Sequence, residues 1–253
     1  MMDLVSSVFT RNSLIVAFAV IGLTIWLSYW LADKLTAGRI HGSAIAIALG
    51  LVAAYWGGTV TGGAKGVADL SLLGGIGLMG GGMLRDFAIV STAFGVQLSE
   101  LKKAGLAGVV SIFAGVIVSF IVGAAVAVAF GYKDPIAITT IGAGAVTYIV
   151  GPVTGEAIGA SGDVVTLSVA AGLVKSILVM IGTPLVARSI GLSNPQSAMV
   201  FGGLMGTTSG VAAGLAATDP KLVPYGAMTA TFYTGVGCLL GPSLLFFLVS
   251  LIF

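Results

Sequence analysis

Charged residues are scarce in this chain, and they are missing over runs long enough to decide where it can fold. Residues 14–32 and 105–130 carry no charged side chain at all. A helix needs about 20 apolar residues to cross a hydrocarbon core of about 30 Å, and these runs lack the period-two alternation of a membrane barrel strand. Only 8% of the 253 residues are charged and 57% are hydrophobic, against roughly 25% charged in soluble domains. A water-facing surface cannot be built from this composition, so the expectation is an all-α membrane protein embedded in a lipid bilayer. The run 14–32 is longer than the roughly 7–15 residue core of a secretory signal, with no small-residue cleavage pattern after it, and reads as the first span.

About eight hydrophobic segments are expected, with broken or re-entrant helices near the membrane midplane among them: 14–32, 40–57, 68–84, 105–130, 136–153, 163–187, 197–217 and 226–252. The polar connection 85–103 is amphipathic, ends in Lys102 and Lys103, and suits an interfacial helix. Between the spans, Arg11, Lys65, Lys133 and Arg188 fall on one side, and Lys34, Arg39, Arg85, Lys102, Lys103 and Lys221 on the other. The positive-inside rule places the second set in the cytoplasm and both termini outside.

The two halves resemble each other. "GLMGGGM" (77–83) recurs as "GLMGTTS" (203–209), "ALGLV" (48–52) as "AAGLV" (170–174), and "LKKAG" (101–105) aligns loosely with "LVPYG" (222–226). The order is kept at offsets of 121 to 126 residues. Two sequence-related transmembrane repeats, 1–130 and 131–253, are therefore expected, the usual construction of secondary transporters, with the main substrate site in the second. Chance similarity between glycine-rich spans is the alternative. Four spans per half would make the repeats parallel, whereas inverted repeats need an odd number.

Several function classes are excluded. One cysteine and one histidine rule out an intrachain disulfide and leave no ligand set for a transition metal or haem. A scattered net charge of +2 gives no footprint for nucleic acid. "GIGLMG" (75–80) matches a dinucleotide fingerprint only formally, because no strand precedes it. Neither a phosphate-binding loop with its lysine nor a Ser-His-Asp or Cys-His set occurs. A non-enzyme without an organic cofactor is expected.

Two polar stretches interrupt the apolar pattern. In "GGLMGTTSG" (202–210), Gly206, Thr207, Thr208, Ser209 and Gly210 can unwind a helical turn and free backbone groups. Such groups cost several kcal/mol each at membrane depth unless something binds them. The helix restarting after the break offers a positive N-terminus of about half a unit charge, suited to a carboxylate. The alternative is an unbroken helix whose small residues pack closely and whose hydroxyls bond back to preceding carbonyls. In 139–163, Thr147, Tyr148 and the Gly151-Pro152 break complete the candidate substrate pocket, while Thr139, Thr154, Glu156 and Asp163 supply hard oxygen ligands suited to sodium. Asp163 reads first as a helix N-cap, and Glu156 serves equally well as a loop carboxylate in water. Lys175, in the middle of a span, is a candidate counter-charge for an anion, or else a lysine that snorkels or pairs with a partner subunit. The Arg85-Asp86 pair reads as an interfacial salt bridge.

The segments "GRIHGSAIAIALGLVAAYWGG", "GLMGGGMLRDFAIVSTAFGV", "TTIGAGAVTYIVGPVTGEAIGASGDVV" and "MVFGGLMGTTSGVAAGLAATDPKLVPYGAMTATFYTG" resemble the larger, MadM-type subunit of bacterial malonate/sodium symporters, over essentially the whole chain. The resemblance implies a multi-pass secondary transporter of the bacterial inner membrane that imports malonate with co-transported sodium. It also implies a smaller membrane subunit of MadL type as partner, and leaves a homo-oligomer of the complex open. It carries no binding residues with it. Two other classes fit the residues alone: an ion-translocating subunit of a membrane decarboxylase or transhydrogenase complex, and a non-catalytic scaffold subunit.

Overall fold

The computed structural model describes residues 2–37, 42–63, 65–79 and 98–253, of which 2–6 and 98–104 by backbone alone. Every regular element among them is helical, as an apolar chain that must satisfy its backbone internally requires. The chain divides into two compact units, Met1–Phe94 and Gly95–Phe253.

In the first unit, helices α1 (Met2–Arg11), α2 (Ser13–Thr36) and α3 (Gly42–Thr61) are followed by two 3₁₀ turns and the short α4 (Gly74–Leu78). Glycine makes the close approaches: Gly42 sits against Tyr29, Gly57 against the backbone of Gly66 and Val67, and Gly75 against Ser13. The stretch 80–97, with the Arg85-Asp86 pair and the last four residues of the first motif copy "GLMGGGM" (77–83), lies outside the described residues.

The second unit has three long helices and two broken ones. Helix α5 (Leu98–Ala129) turns at Gly105, whose φ is 64°. Then come α6 (Pro135–Val146), α7 (Val150–Ile158), α8 (Gly162–Val186), α9 (Pro195–Met205), α10 (Thr208–Ala216) and α11 (Val223–Leu240). The last runs through a π-helical turn, Gly241–Leu245, into α12 (Phe246–Ser250). Among the described residues five helices are long and apolar enough to cross a membrane: α2, α3, α5 from Gly105, α8 and the α11–α12 run. The expected segments 136–153 and 197–217 are each a pair of arms, of 12 and 9 residues and of 11 and 9 residues. At 1.5 Å per residue no arm exceeds about 18 Å, too short for a crossing.

Each pair folds back on itself. In the first, a Cβ added to Gly151 would come within 2.8 Å of the Gly144 Cα, and one at Gly155 within 2.8 Å of Thr140 Cγ2. Both pairings are centred between residues 147 and 148, the signature of an antiparallel hairpin with its tip there. In the second, Ala198 of α9 and Val211 and Leu215 of α10 all lie against Gly226 at the start of α11, so both arms reach the same end of that helix. A hairpin returns to the side it came from. Lys133 therefore lies at the mouth of hairpin 1 and both Arg188 and Lys221 at the mouth of hairpin 2, which corrects the expectation that Lys133 and Arg188 share a side.

The unit is itself duplicated, with opposite orientation. Left-handed glycines (131 and 191), side-chain N-caps (Asp134 and Asn194), first-turn prolines (135 and 195) and the break-point threonines (147 and 207) recur 60 residues apart. Along α8 and α11 the offset is 58: Gly144 against Ser168 is matched by Gly202 against Gly226, and Pro184 by Pro242. One hairpin plus one crossing is an odd count, so the copies run in opposite senses. Helix α5 packs on the first arm of both hairpins.

Gly172 in α8 faces the Tyr148 backbone at the tip of hairpin 1, whereas nothing lies within 4 Å of a Cβ added at Gly182. Gly172→Ala is thus expected to lower stability by about 1–3 kcal/mol through overpacking. Gly182→Ala in the same helix should raise it by about 0.5–1 kcal/mol. Thermal melting of the two purified variants in detergent checks the opposite signs.

Candidate functional site

Both helix breaks are made by the residues that suggest them. Helix α9 ends at Gly206, which takes the left-handed conformation (φ 71°) with its α-carbon against the Tyr233 ring. A side chain there would be strained and would clash. Thr207 is extended and caps α10, its hydroxyl accepting from the Gly210 N–H. A helix start leaves its first amides open; with Gly210 capped and the Thr207 N–H given to the Met205 carbonyl, those of Thr208 and Ser209 have no partner among the described residues. At the other tip α6 ends in extended Thr147, whose hydroxyl accepts from the N–H groups of both Ile149 and Val150. Thr147 thus caps two amides at the start of α7 where Thr207 caps one of α10, which leaves the start of α10 the more open of the two.

The tips come together at the middle of α8. Tyr148 Oη lies 3.3 Å from Ser209 Oγ, joining hairpin 1 to hairpin 2. Thr207 bonds the Ser176 hydroxyl, and Gly172 admits the Tyr148 backbone. Between them is Lys175, whose Nζ donates to Ser119 Oγ on α5 (2.9 Å), to the Val146 carbonyl at the end of α6 (2.9 Å) and to Tyr233 Oη on α11 (3.0 Å). Its charge also sits 5.0 Å from the Tyr233 ring centroid. All three acceptors around Lys175 Nζ are neutral, so a positive charge on this amine would reach the tips through its field alone. Lys175 and Tyr233 are 58 residues apart and occupy equivalent places in the two copies, so they meet where the copies meet.

The remaining candidates divide. Gly151 is buried in the first turn of α7, with a Cβ there reaching 2.5 Å from Ser168 Oγ; it packs the hairpin. Thr139 and Thr154 are fully buried on the two arms of hairpin 1, and neither hydroxyl has a partner. Glu156 and Asp163 are exposed, at the end of α7 and the start of α8; the structure does not bring them to the buried threonines. Apart from Tyr233, every buried polar side chain among the described residues is a serine or threonine, and no cluster of metal-ligating His, Cys, Asp and Glu occurs among them. A cleft of about 500 Å³ between the end of α5, α6 and α8 is lined by apolar groups such as Phe130, Ile141 and Val174, and offers nothing to a charged solute.

Ser119, Ser176 and Tyr233 were not singled out by the sequence. Ser176 directly follows Lys175, and Tyr233 stands 58 residues beyond Lys175, so the short repeat was the signal for these two; Ser119, on α5 before the repeat, had none.

No curated protein and no solved structure matches the chain. The family model described as malonate/sodium symporter MadM subunit matches residues 5–253. With two broken-helix tips converging on a half-buried lysine, and that match over nearly its whole length, the chain belongs to the MadM subunit family of malonate/sodium symporters.

Proposed function

We propose that the chain binds malonate between the two hairpin tips and carries it across the bacterial inner membrane together with sodium, in complex with a smaller MadL-type membrane subunit. The observation that supports this best is the open N-terminus of α10 beside Ser209 and Tyr148, with the Lys175 amine bonded to the Val146 carbonyl at the end of α6. Malonate is a dianion, and burying it without compensation in a low-dielectric site is prohibitive. One carboxylate takes the Thr208 and Ser209 amides and the hydroxyls of Thr208 and Ser209, with Thr207 holding the turn open. The other faces Tyr148, Thr147 and the Lys175 field. Co-bound sodium balances the remaining charge, and each sodium moving down a 100 mV potential contributes about 2.3 kcal/mol, so uptake needs no ATP.

Alternating access follows from the inverted pair: hairpin 1 opens toward one face and hairpin 2 toward the other, with the site at their contact. Within the second unit Lys102, Lys103, Arg188 and Lys221 belong to the end at which hairpin 2 opens and Lys133 to the end at which hairpin 1 opens, so the positive-inside rule favours the cytoplasm for the mouth of hairpin 2. In proteoliposomes holding the complex, an inward sodium gradient is expected to drive accumulation of radiolabelled malonate. Replacing sodium by potassium should reduce the initial rate at least tenfold; an unchanged rate would refute sodium coupling.

A further inference from the structure

We propose that Thr139 and Thr154, together with the Gly241–Leu245 turn, form a site for a monovalent cation within the second unit, distinct from the hairpin tips. That this cation is the co-transported sodium rests on the symport reading above.

A threonine inside a helix ordinarily bonds back to the carbonyl four residues earlier, and its neighbours here do so: Thr140 to Ile136 (2.8 Å), Thr166 to Gly162 (2.8 Å), Thr231 to Ala227 (2.9 Å) and Thr234 to Ala230 (3.2 Å). Thr139 and Thr154 leave that bond unmade although both are 0% exposed. A buried hydroxyl without a partner costs about 1–3 kcal/mol, so two on one hairpin call for a ligand. The hairpin register pairs residues that sum to 295 (144 with 151, 140 with 155). Residues 139 and 154 sum to 293, which puts the two threonines at the same depth to within about 3 Å.

Both arms also pack on the π-helical turn. A Cβ on Gly241 would strike the Thr154 hydroxyl oxygen, while the Cβ and Cγ2 of Thr154 are 3.4 Å away; the oxygen, not the methyl, is aimed at the turn. Pro242 has no N–H for the carbonyl four residues back. The π-helical winding over 241–245 shifts carbonyls out of the α ladder, a form recurrent at functional sites. The other copy supplies an internal control: Gly214 of hairpin 2 meets Thr183 of α8, one residue before Pro184, and the Thr183 hydroxyl is bonded to Val179. The same packing is thus achieved there with no orphan. Neutral hydroxyl and carbonyl oxygens, with no buried carboxylate among the described residues, suit a hard cation of single charge better than calcium or magnesium, which take carboxylates.

The test uses the full chain in detergent without malonate, melted across a sodium chloride titration with choline chloride keeping ionic strength constant. Wild type is expected to gain a saturable rise in melting temperature. Thr154→Val and Thr139→Val should each raise the half-saturating sodium concentration at least tenfold while melting no lower than wild type in choline, because an unpartnered hydroxyl has been removed. Thr154→Ser should keep the sodium response. If wild type shows no saturable rise, or both valine variants keep the wild-type half-saturation, the hydroxyls hold only buried water and the site is wrong. Sodium-driven malonate uptake by wild type, measured beside these, tests the symport reading independently: uptake can be sodium-driven with this site disproved, and the site can bind sodium with malonate transport absent.

Discussion

Lys175→Met is expected to abolish saturable malonate uptake, by at least 100-fold, and yet to change the stability of the chain little. Two opposing terms make the second half of that statement. The ammonium gives bonds to Ser119, Val146 and Tyr233, and its loss leaves three acceptors to repair, at a cost of about 1–3 kcal/mol for any left open. Against this, an ion held at membrane depth by neutral groups carries a desolvation penalty of several kcal/mol, and methionine carries none. The Ser119 and Tyr233 hydroxyls can also bond to other acceptors, Tyr233 already lying 3.2 Å from the Gly115 carbonyl. The functional half is Coulombic. Two unit charges 4 Å apart interact by about 4 kcal/mol at an effective dielectric of 20; a dianion at twice that distance recovers about the same, roughly a thousandfold in equilibrium. Uptake by proteoliposomes and melting of the same preparation separate the two effects. A variant that transports within tenfold of wild type would show that the substrate does not feel this charge.

That the charge is held by three elements from separate parts of the chain explains how much could be read in advance. Composition and run length alone require a helical membrane protein, because backbone groups in lipid have no other way to be satisfied. The two breaks were legible for the same local reason: Gly206, Thr207 and Thr147 offer left-handed backbone and side-chain caps where a continuous helix needs neither. Whether a broken segment then goes on across the membrane or turns back is not a local property. It depends on small residues meeting across the hairpin, Gly144 with Gly151 and Thr140 with Gly155, and such contacts do not show in a hydropathy profile. Reading 136–153 and 197–217 as crossings hid the inverted repeat of the second unit, since an even number of crossings per copy allows only parallel copies. The similarity between the halves at offsets of 121 to 126 is a separate proposal from the 60-residue repeat, and part of its first copy lies outside the described residues. Glu156 and Asp163 attracted notice as the charged members of a polar stretch. Helical geometry carries both to the mouth of hairpin 1 and leaves the neutral Thr139 and Thr154 inside, where a hydroxyl is affordable and a lone carboxylate is not.

The second large effect is expected at Thr207, where one hydroxyl sets the geometry of the anion seat. Its oxygen accepts from Gly210 and bonds Ser176, and these bonds fix the start of α10, whose Ser209 hydroxyl lies 3.3 Å from Tyr148 Oη. Thr207→Val keeps the shape of the side chain and removes the cap, which costs about 0.5–2 kcal/mol of stability. The start of α10 then loses its fixed direction, and a pair of amides displaced by 1 Å can lose about 100-fold in a reaction that depends on positioning. The expectation is a malonate KM raised at least 100-fold with the half-saturating sodium concentration within threefold of wild type, because the cation site proposed on hairpin 1 is untouched. Thr207→Ser keeps the oxygen and should transport within threefold of wild type. Ser176→Ala removes only the hydroxyl's second partner and leaves the cap to Gly210, so its effect should stay below tenfold. Serine rescue is the decisive comparison: a role in packing alone would make Thr207→Ser, which loses a methyl, worse than Thr207→Val, whereas a role in aiming the α10 amides reverses that order.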